Sequence, residues 1–184
     1  KIQNLSKKIF SVQDAKTAIN NNPESYFSLP EEMRKIEELA AVAIEKSKGA
    51  AFIHMSDEIK GNRNLALSAV ELNAESLLHV SKDLREGIDF DSEAVILNPR
   101  ALQYSSDRIK KNENAVEIAA QKFKEMNLHG NVLQYADMSL RKNSEFVKRL
   151  IQNVSYKEFK GASDSLKSNC QFVSSIINKR NDLW

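Results

Sequence analysis

The sequence has few of the residues that interrupt helices or form turns: 5 glycines and 3 prolines among 184 residues. A many-stranded β fold needs frequent turns, so this scarcity argues against one. Cys170 is the single cysteine, which excludes an internal disulfide and fits a reducing compartment. The formal net charge of +2 is too small to predict binding to nucleic acid or membranes from charge alone.

Long apolar segments are also missing. No run approaches the roughly 18 apolar residues of a membrane-spanning helix, and no charged-then-apolar signal segment opens the chain. The chain begins at Lys1 rather than Met, so we expect a fragment of a larger protein. With 41% hydrophobic and 28% charged residues, the composition is that of one soluble domain able to bury a core.

A short phrase recurs six times along the chain: Ser or Ala, two or three polar residues, a Leu, Ile or Met, and a basic residue. We call the Leu, Ile or Met of each copy its anchor. The anchors are Met33, Ile59, Leu84, Ile109, Leu140 and Leu166, spaced by 26, 25, 25, 31 and 26 residues. Such regular spacing indicates tandem repeats. We predict repeats of 25–26 residues that end near residues 36, 62, 87, 112, 143 and 169, with partial repeats at 1–10 and 170–184.

Each repeat is predicted to be a hairpin of two helices. The first helix carries apolar residues at i, i+4 and i+5, as in Leu39-Ala43-Ile44, which is one face of a 3.6-residue period. The second carries them at i, i+3 and i+7, as in Phe52-Met55-Ile59. Capping residues mark the helix starts. They are Asn62, Asn112, Asn143 and Asn169 for first helices, and Asn22, Asn98 and Ser155 for second helices.

One short hairpin cannot bury its own apolar faces, whereas stacked neighbours can. Fully burying a Leu, Ile or Phe stabilises by roughly 1.5–3 kcal/mol, against roughly 1–2 kcal/mol of backbone entropy per ordered residue. We therefore predict an all-α domain over residues 1–184, with the hairpins stacked as a short α-solenoid or a compact helical array.

The 31-residue repeat is longer than the others, and its extra residues lie within 121–131. Phe123 and Met126 continue the apolar spacing of the first helix, so we predict a longer helix here. A turn at 129–131 would follow, with Gly130 as the stop. Insertions in repeat arrays often fall on the binding face, which makes His129 and Asn131 candidate contact residues. The alternative is a neutral insertion at an exposed turn.

A basic residue follows the anchor in every repeat. These residues are Arg34, Lys60, Arg85, Lys110, Arg141 and Lys167. In a regular stack they would align as a stripe able to bind an acidic peptide, a phosphoinositide headgroup or nucleic acid. No aromatic residues interleave with the stripe, which disfavours single-stranded nucleic acid.

The alternative for these six residues is structural. A cation in the last turn of a helix stabilises that helix by roughly 0.3–1 kcal/mol. An acidic residue three positions earlier can also pair with the cation on the same helix face. Such acidic residues are Glu31, Asp57, Asp107 and Asp164.

His54 and His79 hold equivalent positions 25 residues apart, and stacking would bring them close. No third metal ligand is in register with them. Tyr104 and Tyr135 fill the same position in later repeats. Packing between repeats is therefore favoured over a metal site.

Motifs of catalytic chemistry are missing from the sequence. Cys170 opens the last helix with no His nearby in sequence, which favours an inert thiol over a nucleophile. The acidic residues of 89–93 lack the glycine and the final glutamate of a calcium loop, and we expect them to begin a helix. There is no phosphate-binding loop, His-Glu-x-x-His, Cys-x-x-Cys or Gly-x-Ser-x-Gly. We predict no enzyme activity, no cofactor and no metal.

One repeat has the order Ala-Val, Asn, Leu-Gln-Tyr-Ala/Ser and Leu/Ile-Arg/Lys, and another shares its last two parts. The residues are Ala94-Val95, Asn98, Leu102-Gln103-Tyr104-Ser105 and Ile109-Lys110 in one, and Leu133-Gln134-Tyr135-Ala136 and Leu140-Arg141 in the other. This order resembles the bacterial repeat called domain of unknown function 4116, over most of residues 14–169. The resemblance implies a tandem short-helix repeat in proteins of intracellular bacteria, including secreted effectors of the type IV system. It implies no activity.

Other repeats depart from the Gln-Tyr pair of that family. The pair is replaced by Phe27-Ser28, Ile53-His54, Leu78-His79 and Lys160-Gly161.

We therefore expect a non-catalytic helical-repeat scaffold that mediates protein–protein interaction, in the bacterial cytoplasm or secreted into a host cell. One alternative is a binder of anionic ligands through the six basic residues. Another is an accessory domain of an enzyme whose catalytic part lies outside this chain. The sequence does not predict the partner, the binding face, the curvature of the array or the oligomeric state.

Overall fold

The computed structural model describes residues 11–87 and 89–181, and no β-strand occurs among them. The prediction of an all-α fold is therefore confirmed. The chain divides into two compact units between Leu84 and Arg85. We call residues 11–84 the first unit, and residues 85–87 and 89–181 the second unit. The prediction of one domain over 1–184 did not include this division, and the helix predicted over 1–10 lies outside the described residues.

One order of elements recurs: a longer α-helix, a 3-10 helix and a short α-helix. The longer α-helices are α1 (Val12–Asn21), α3 (Glu37–Lys46), α5 (Arg63–Leu72), α7 (Phe90–Leu97), α9 (Glu113–Glu125), α11 (Ser144–Asn153) and α13 (Cys170–Asn181). The 3-10 helices are η1 (Pro23–Ser28), η2 (Ala50–His54), η3 (Ala74–His79), η4 (Pro99–Tyr104), η5 (Leu133–Tyr135) and η6 (Tyr156–Gly161). The short α-helices are α2 (Glu31–Arg34), α4 (Asp57–Lys60), α6 (Lys82–Glu86), α8 (Asp107–Lys110), α10 (Met138–Lys142) and α12 (Asp164–Lys167).

The predicted second helix of each repeat is two elements, a 3-10 helix and a short α-helix. An extended residue lies between them, such as Met55 with φ −75° and ψ 164°. The i, i+3 apolar spacing is shared by both helix types, because a 3-10 helix has three residues per turn. The middle apolar residue of the pattern falls at this break and stays buried. These residues are Leu29, Met55, Val80, Ala136 and Ala162.

All seven predicted capping residues accept a hydrogen bond from the first turn of their helix. Asn62, Asn112, Asn143 and Asn169 cap α5, α9, α11 and α13, and Asn22, Asn98 and Ser155 cap η1, η4 and η6. Their oxygen atoms accept from backbone amides that have no partner within the helix. The helix starts were therefore correctly predicted.

In the first unit, α1 packs on α3 and α3 packs on α5, while η2 packs on η3. The largest fully buried side chains come from the apolar positions that defined the repeat. They are Ile19, Tyr26, Leu39, Ile44, Phe52, Ile59 and Leu77. The anchor Ile59 is buried, whereas the anchors Met33 and Leu84 are half-buried.

In the second unit, α7 packs on α9, α9 on α11 and α11 on α13, while η5 packs on η6. The anchors Ile109, Leu140 and Leu166 are buried. The other large side chains that are fully buried are Leu102, Leu133, Phe146 and Leu150.

The insertion of the 31-residue repeat lengthens α9 to 13 residues, as predicted, and Phe123 is buried. Met126 is exposed and does not continue the buried face. The helix ends at Glu125, two residues before Asn127, whose φ of 50° is left-handed, and the Leu128 amide donates to the Phe123 carbonyl. That bond is typical of a glycine-type helix end. The left-handed residue that follows the helix is therefore Asn127, three residues before the predicted Gly130.

Candidate protein-binding surface

The six basic residues predicted to form a stripe all lie in the last turn of a short α-helix, and all are half-buried. A cation there interacts favourably with the carbonyls that have no partner within the helix. The predicted position at the helix end is therefore confirmed.

The backbone carbonyls of four of these residues accept hydrogen bonds from other parts of the chain. Three of them accept a hydrogen bond from the amide just before the next short α-helix in their unit. The donor and acceptor pairs are Ser81 and Lys60 (3.1 Å), Asp137 and Lys110 (2.9 Å), and Ser163 and Arg141 (2.9 Å). Arg34 differs, because its carbonyl accepts from the hydroxyl of Tyr26. The backbone at these positions thus connects consecutive repeats within a unit.

Two of the basic side chains of the second unit bind partners within the chain. Nε of Arg141 donates to the carbonyl of Gly161 at 2.8 Å. Lys167 lies 2.8 Å from Asp164, which confirms that one of the predicted ion pairs forms. These contacts give both side chains a structural role.

The two candidate contact residues of the insertion have different environments. His129 is exposed. Asn131 is 6% exposed, and its side-chain oxygen accepts from the Gln134 amide at 3.0 Å. Its carbonyl accepts from the Gln134 side chain at 2.8 Å. The buried side chain of Asn131 therefore does not support the prediction that this residue contacts a partner.

Three apolar side chains occupy one repeat position in the first unit, six residues before the anchor. Phe27 lies in η1, Ile53 in η2 and Leu78 in η3, and we call these residues the apolar row. Ile53 and Leu78 are 40% and 45% exposed, and Phe27 is half-buried. In the second unit the same position is exposed but polar. The residues there are Gln103, Gln134 and Lys160.

His54 and His79 follow the last two residues of the apolar row and come close together, as the repeat spacing predicted. The ring of His54 meets that of Phe27 edge-on, with 6.0 Å between centroids. The pKa of His79 is lowered, first by burial and then by the positive charges of Lys60 and His54, with Glu75 opposing them. Two histidines and a lysine therefore border the apolar row.

A small cleft of about 160 Å³ opens beside the apolar row. Its lining residues are Tyr26, Glu31, Arg34, Lys35, His54, Met55 and Ser56. Nε of Arg34 is buried in the first unit, and none of the described residues accepts a hydrogen bond from it. Glu31 lies 3.3 Å from Lys35, so its carboxylate pairs with that lysine. The cleft thus presents an arginine without an anionic partner among the described residues.

No protein-family model, curated protein or solved structure matches the chain.

Sequence reasoning did not select the apolar row, although the signal was present. Ile53 and Leu78 stand where other repeats have Gln103 and Gln134. A position that is polar in some repeats faces solvent, so an apolar residue there is exposed. Seen only as a departure from the Gln-Tyr pair, the change from Gln to Ile or Leu does not indicate an exposed apolar surface.

The remaining candidate residues have simple environments. Cys170 is exposed and is the first residue of α13. The 89–93 segment begins α7, as predicted, and Asp91 is fully buried, accepting from the Ser106 amide at 2.9 Å.

Over residues 11–87 and 89–181, no helix has the length and apolar character to cross a membrane. The same ranges hold no group of three His, Cys, Asp or Glu side chains placed to bind a metal ion.

Proposed function

We propose that this chain is a non-catalytic helical-repeat scaffold whose first unit binds another protein. The apolar row carries this proposal. Exposed apolar side chains that are grouped on one surface are typical of protein-interaction sites, whereas single scattered ones are not. Ile53 and Leu78 hold the same position in η2 and η3, which pack on each other. Phe27 joins them through its contact with His54.

The scaffold part of the proposal is a stack of repeats, as in a short α-solenoid. The recurring order of elements and the recurring amide-to-carbonyl bond at Lys60, Lys110 and Arg141 support it. Helical repeats that pack mainly on their neighbours produce extended binding surfaces. Membership in the domain of unknown function 4116 family, and a place in a secreted bacterial effector, are part of the same proposal and rest on the Leu-Gln-Tyr repeats.

The test compares three forms of the chain in affinity capture from bacterial and host lysates. The wild type and Ile96→Ser should retain a partner that the double variant Ile53→Ser/Leu78→Ser loses. Ile96 is a matched control because it lies in the second unit and is 43% exposed. The captured partner is then purified, and its affinity for each form is measured. A partner that binds all three forms equally would contradict a role for the apolar row.

A second candidate function is the binding of a small anion, and the arginine of the cleft favours it. Arg34 lines this open cleft, and a guanidinium group pairs with the oxygen atoms of an anionic ligand. Titration with inorganic phosphate or anionic vesicles, with and without Arg34→Glu, tests this function. Binding that weakens steeply as salt rises and disappears in the variant would favour the second candidate. The variant Arg85→Glu/Lys110→Glu tests the basic residues of the second unit in the same way.

A further inference from the structure

We infer that the partner of the first unit is a basic amphipathic segment. Its apolar side chains cover Phe27, Ile53 and Leu78, and its Lys or Arg side chains lie against Glu24 and Glu75. This inference rests on the proposed function, because it requires that the first unit bind a protein through the apolar row. It adds the chemistry of the partner and the residues that select for its charge.

Two carboxylates lie on the same helix faces as the apolar row. A 3-10 helix has three residues per turn, so residues i and i+3 lie on one side of it. Glu24 is three residues before Phe27 in η1, and Glu75 is three residues before Leu78 in η3. Both glutamates are exposed, and the same position of η2 holds the exposed Ala50. A segment that covers the apolar row therefore meets a carboxylate at η1 and another at η3.

The second unit has different chemistry at the same repeat positions. Nine residues before the anchor, the first unit has Glu24, Ala50 and Glu75, whereas the second has Arg100, Asn131 and Lys157. One residue before the anchor, the first unit has Glu32, Glu58 and Asp83, whereas the second has Arg108, Ser139 and Ser165. The second unit forms the same order of elements without these carboxylates. The repeat fold therefore does not require them, and they belong to the surface of the first unit.

The carboxylates near the apolar row outnumber the cations. The carboxylates are Glu24, Glu31, Glu32, Glu58 and Glu75, and the cations are Arg34, Lys35 and Lys60. The ammonium group of Lys35 lies 3.3 Å from Glu31 and 4.0 Å from Glu32. The hydrogen bond to Glu31 raises the pKa of Lys35 most, and the charges of Glu32 and Glu58 also raise it. Three carboxylates thus share one cation, which leaves negative charge for a partner.

The wider charge of the first unit has the same sign. Residues 11–84 contain 12 Asp and Glu and 8 Lys and Arg, which gives a formal net charge of −4 with His neutral. The pKa of His79 is lowered, first by burial and then by Lys60 and His54, so its ring is uncharged at neutral pH. A basic partner is therefore attracted to this unit and an acidic partner is repelled.

A displayed library of random peptides tests the inference without knowledge of the natural partner. The library is selected on the whole chain at about 150 mM salt, where charges more than about 8 Å apart are largely screened. The four forms of the chain are wild type, Glu24→Lys/Glu75→Lys, Ile53→Ser/Leu78→Ser, and Asp107→Lys/Glu145→Lys. Enriched peptides are synthesised, and their affinities for each form are measured. Circular dichroism verifies that each variant is folded.

The variant Asp107→Lys/Glu145→Lys is the matched control. It changes the total charge by the same amount as Glu24→Lys/Glu75→Lys. All four residues are exposed and lie in the first turn of a helix, so the cost to the helix is similar in both variants. Only the location of the change differs, because the control residues lie in the second unit.

We expect enriched peptides with Lys or Arg beside Leu, Ile or Phe. Glu24→Lys/Glu75→Lys should weaken their binding by about tenfold or more, because two attractive pairs become repulsive. Glu24→Gln/Glu75→Gln, which removes the attraction without repulsion, should weaken it by about threefold. The control variant should bind like the wild type.

Other outcomes overturn the inference. Neutral or acidic peptides that need Ile53 and Leu78 would refute the basic partner and leave the proposed function standing. Basic peptides that the control variant loses equally would show attraction to the whole chain rather than to this surface. Self-association in sedimentation that Glu24→Lys/Glu75→Lys abolishes would assign the surface to a second copy of the chain. If the wild type enriches no more peptides than Ile53→Ser/Leu78→Ser, both the inference and the proposed function are wrong.

Discussion

The buried carboxylate of Glu158 accepts a hydrogen bond of 2.8 Å from the backbone amide of Leu133. A second bond of 3.0 Å comes from the amide of Val132. Both amides lie at the start of η5, where the N-cap residue Val132 makes no side-chain cap bond. By contrast, η1, η3, η4 and η6 begin with an Asn or Ser that caps them. At η5, Glu158 from η6 binds these two amides, and Asn131 binds the amide of Gln134.

Glu158→Ala should therefore destabilise the protein by about 2–6 kcal/mol, because two buried amides lose their acceptor at roughly 1–3 kcal/mol each. Urea unfolding followed by circular dichroism measures the change. Glu145→Ala is the control, since Glu145 is exposed in α11. A cost below about 1 kcal/mol would show that other groups satisfy the two amides.

Glu158 should also make stability depend on pH. Burial raises its pKa, and the bonds from Leu133 and Val132 oppose that shift. A carboxyl with a raised pKa in the folded state stabilises that state most below the unfolded value of 4.5, and this contribution is lost as pH rises through the folded pKa.

Glu158→Gln keeps an acceptor oxygen and does not titrate. The stability of Glu158→Gln relative to wild type should therefore increase with pH above 4.5 and level off beyond the folded pKa. Unfolding curves of both proteins at a series of pH values measure this difference. A difference that stays constant, or that falls with pH, would be inconsistent with a raised pKa.

Gly161→Ala should be strongly destabilising. A Cβ atom at Gly161 would lie 2.5 Å from the Gln134 amide nitrogen and 2.7 Å from Cβ of Leu133, and it would overlap the side-chain oxygen of Asn131. Relief of such overlap requires a backbone shift between η5 and η6, which costs about 1–3 kcal/mol. Thermal unfolding measures the cost. Gly61→Ala, whose nearest contact would be 3.3 Å, should have a much smaller effect.

His79 should titrate below 6.5, and Lys60→Gln should raise its pKa. Removal of a neighbouring positive charge favours the imidazolium form. The ring-proton signals of His79 in an NMR pH titration measure this pKa. The exposed Lys124→Gln should leave it unchanged. If Lys60→Gln has no effect either, Lys60 and His79 are not neighbours and the placement of Lys60 beside the apolar row is incorrect.

Local sequence signals predicted much of the fold. The caps at Asn62, Asn112 and Asn143 were readable because a capping side chain bonds to amides two or three residues away. The apolar spacing predicted helices and most buried positions, since helix faces repeat over three or four residues. The same spacing did not reveal the break at Met55, because 3-10 and α-helices both bring i and i+3 together.

By itself, the sequence determined the all-helical class, the helix starts and the anchors, because each depends on residues that are neighbours along the chain. Only the tertiary structure decided that Glu158 caps amides 25 and 26 residues away and that Gly161 leaves no room for a side chain. It also placed Arg34 in one cleft with His54, its Nε without an acceptor among the described residues. These relationships join residues of different repeats, and their energies depend on burial and distance, which no local pattern encodes.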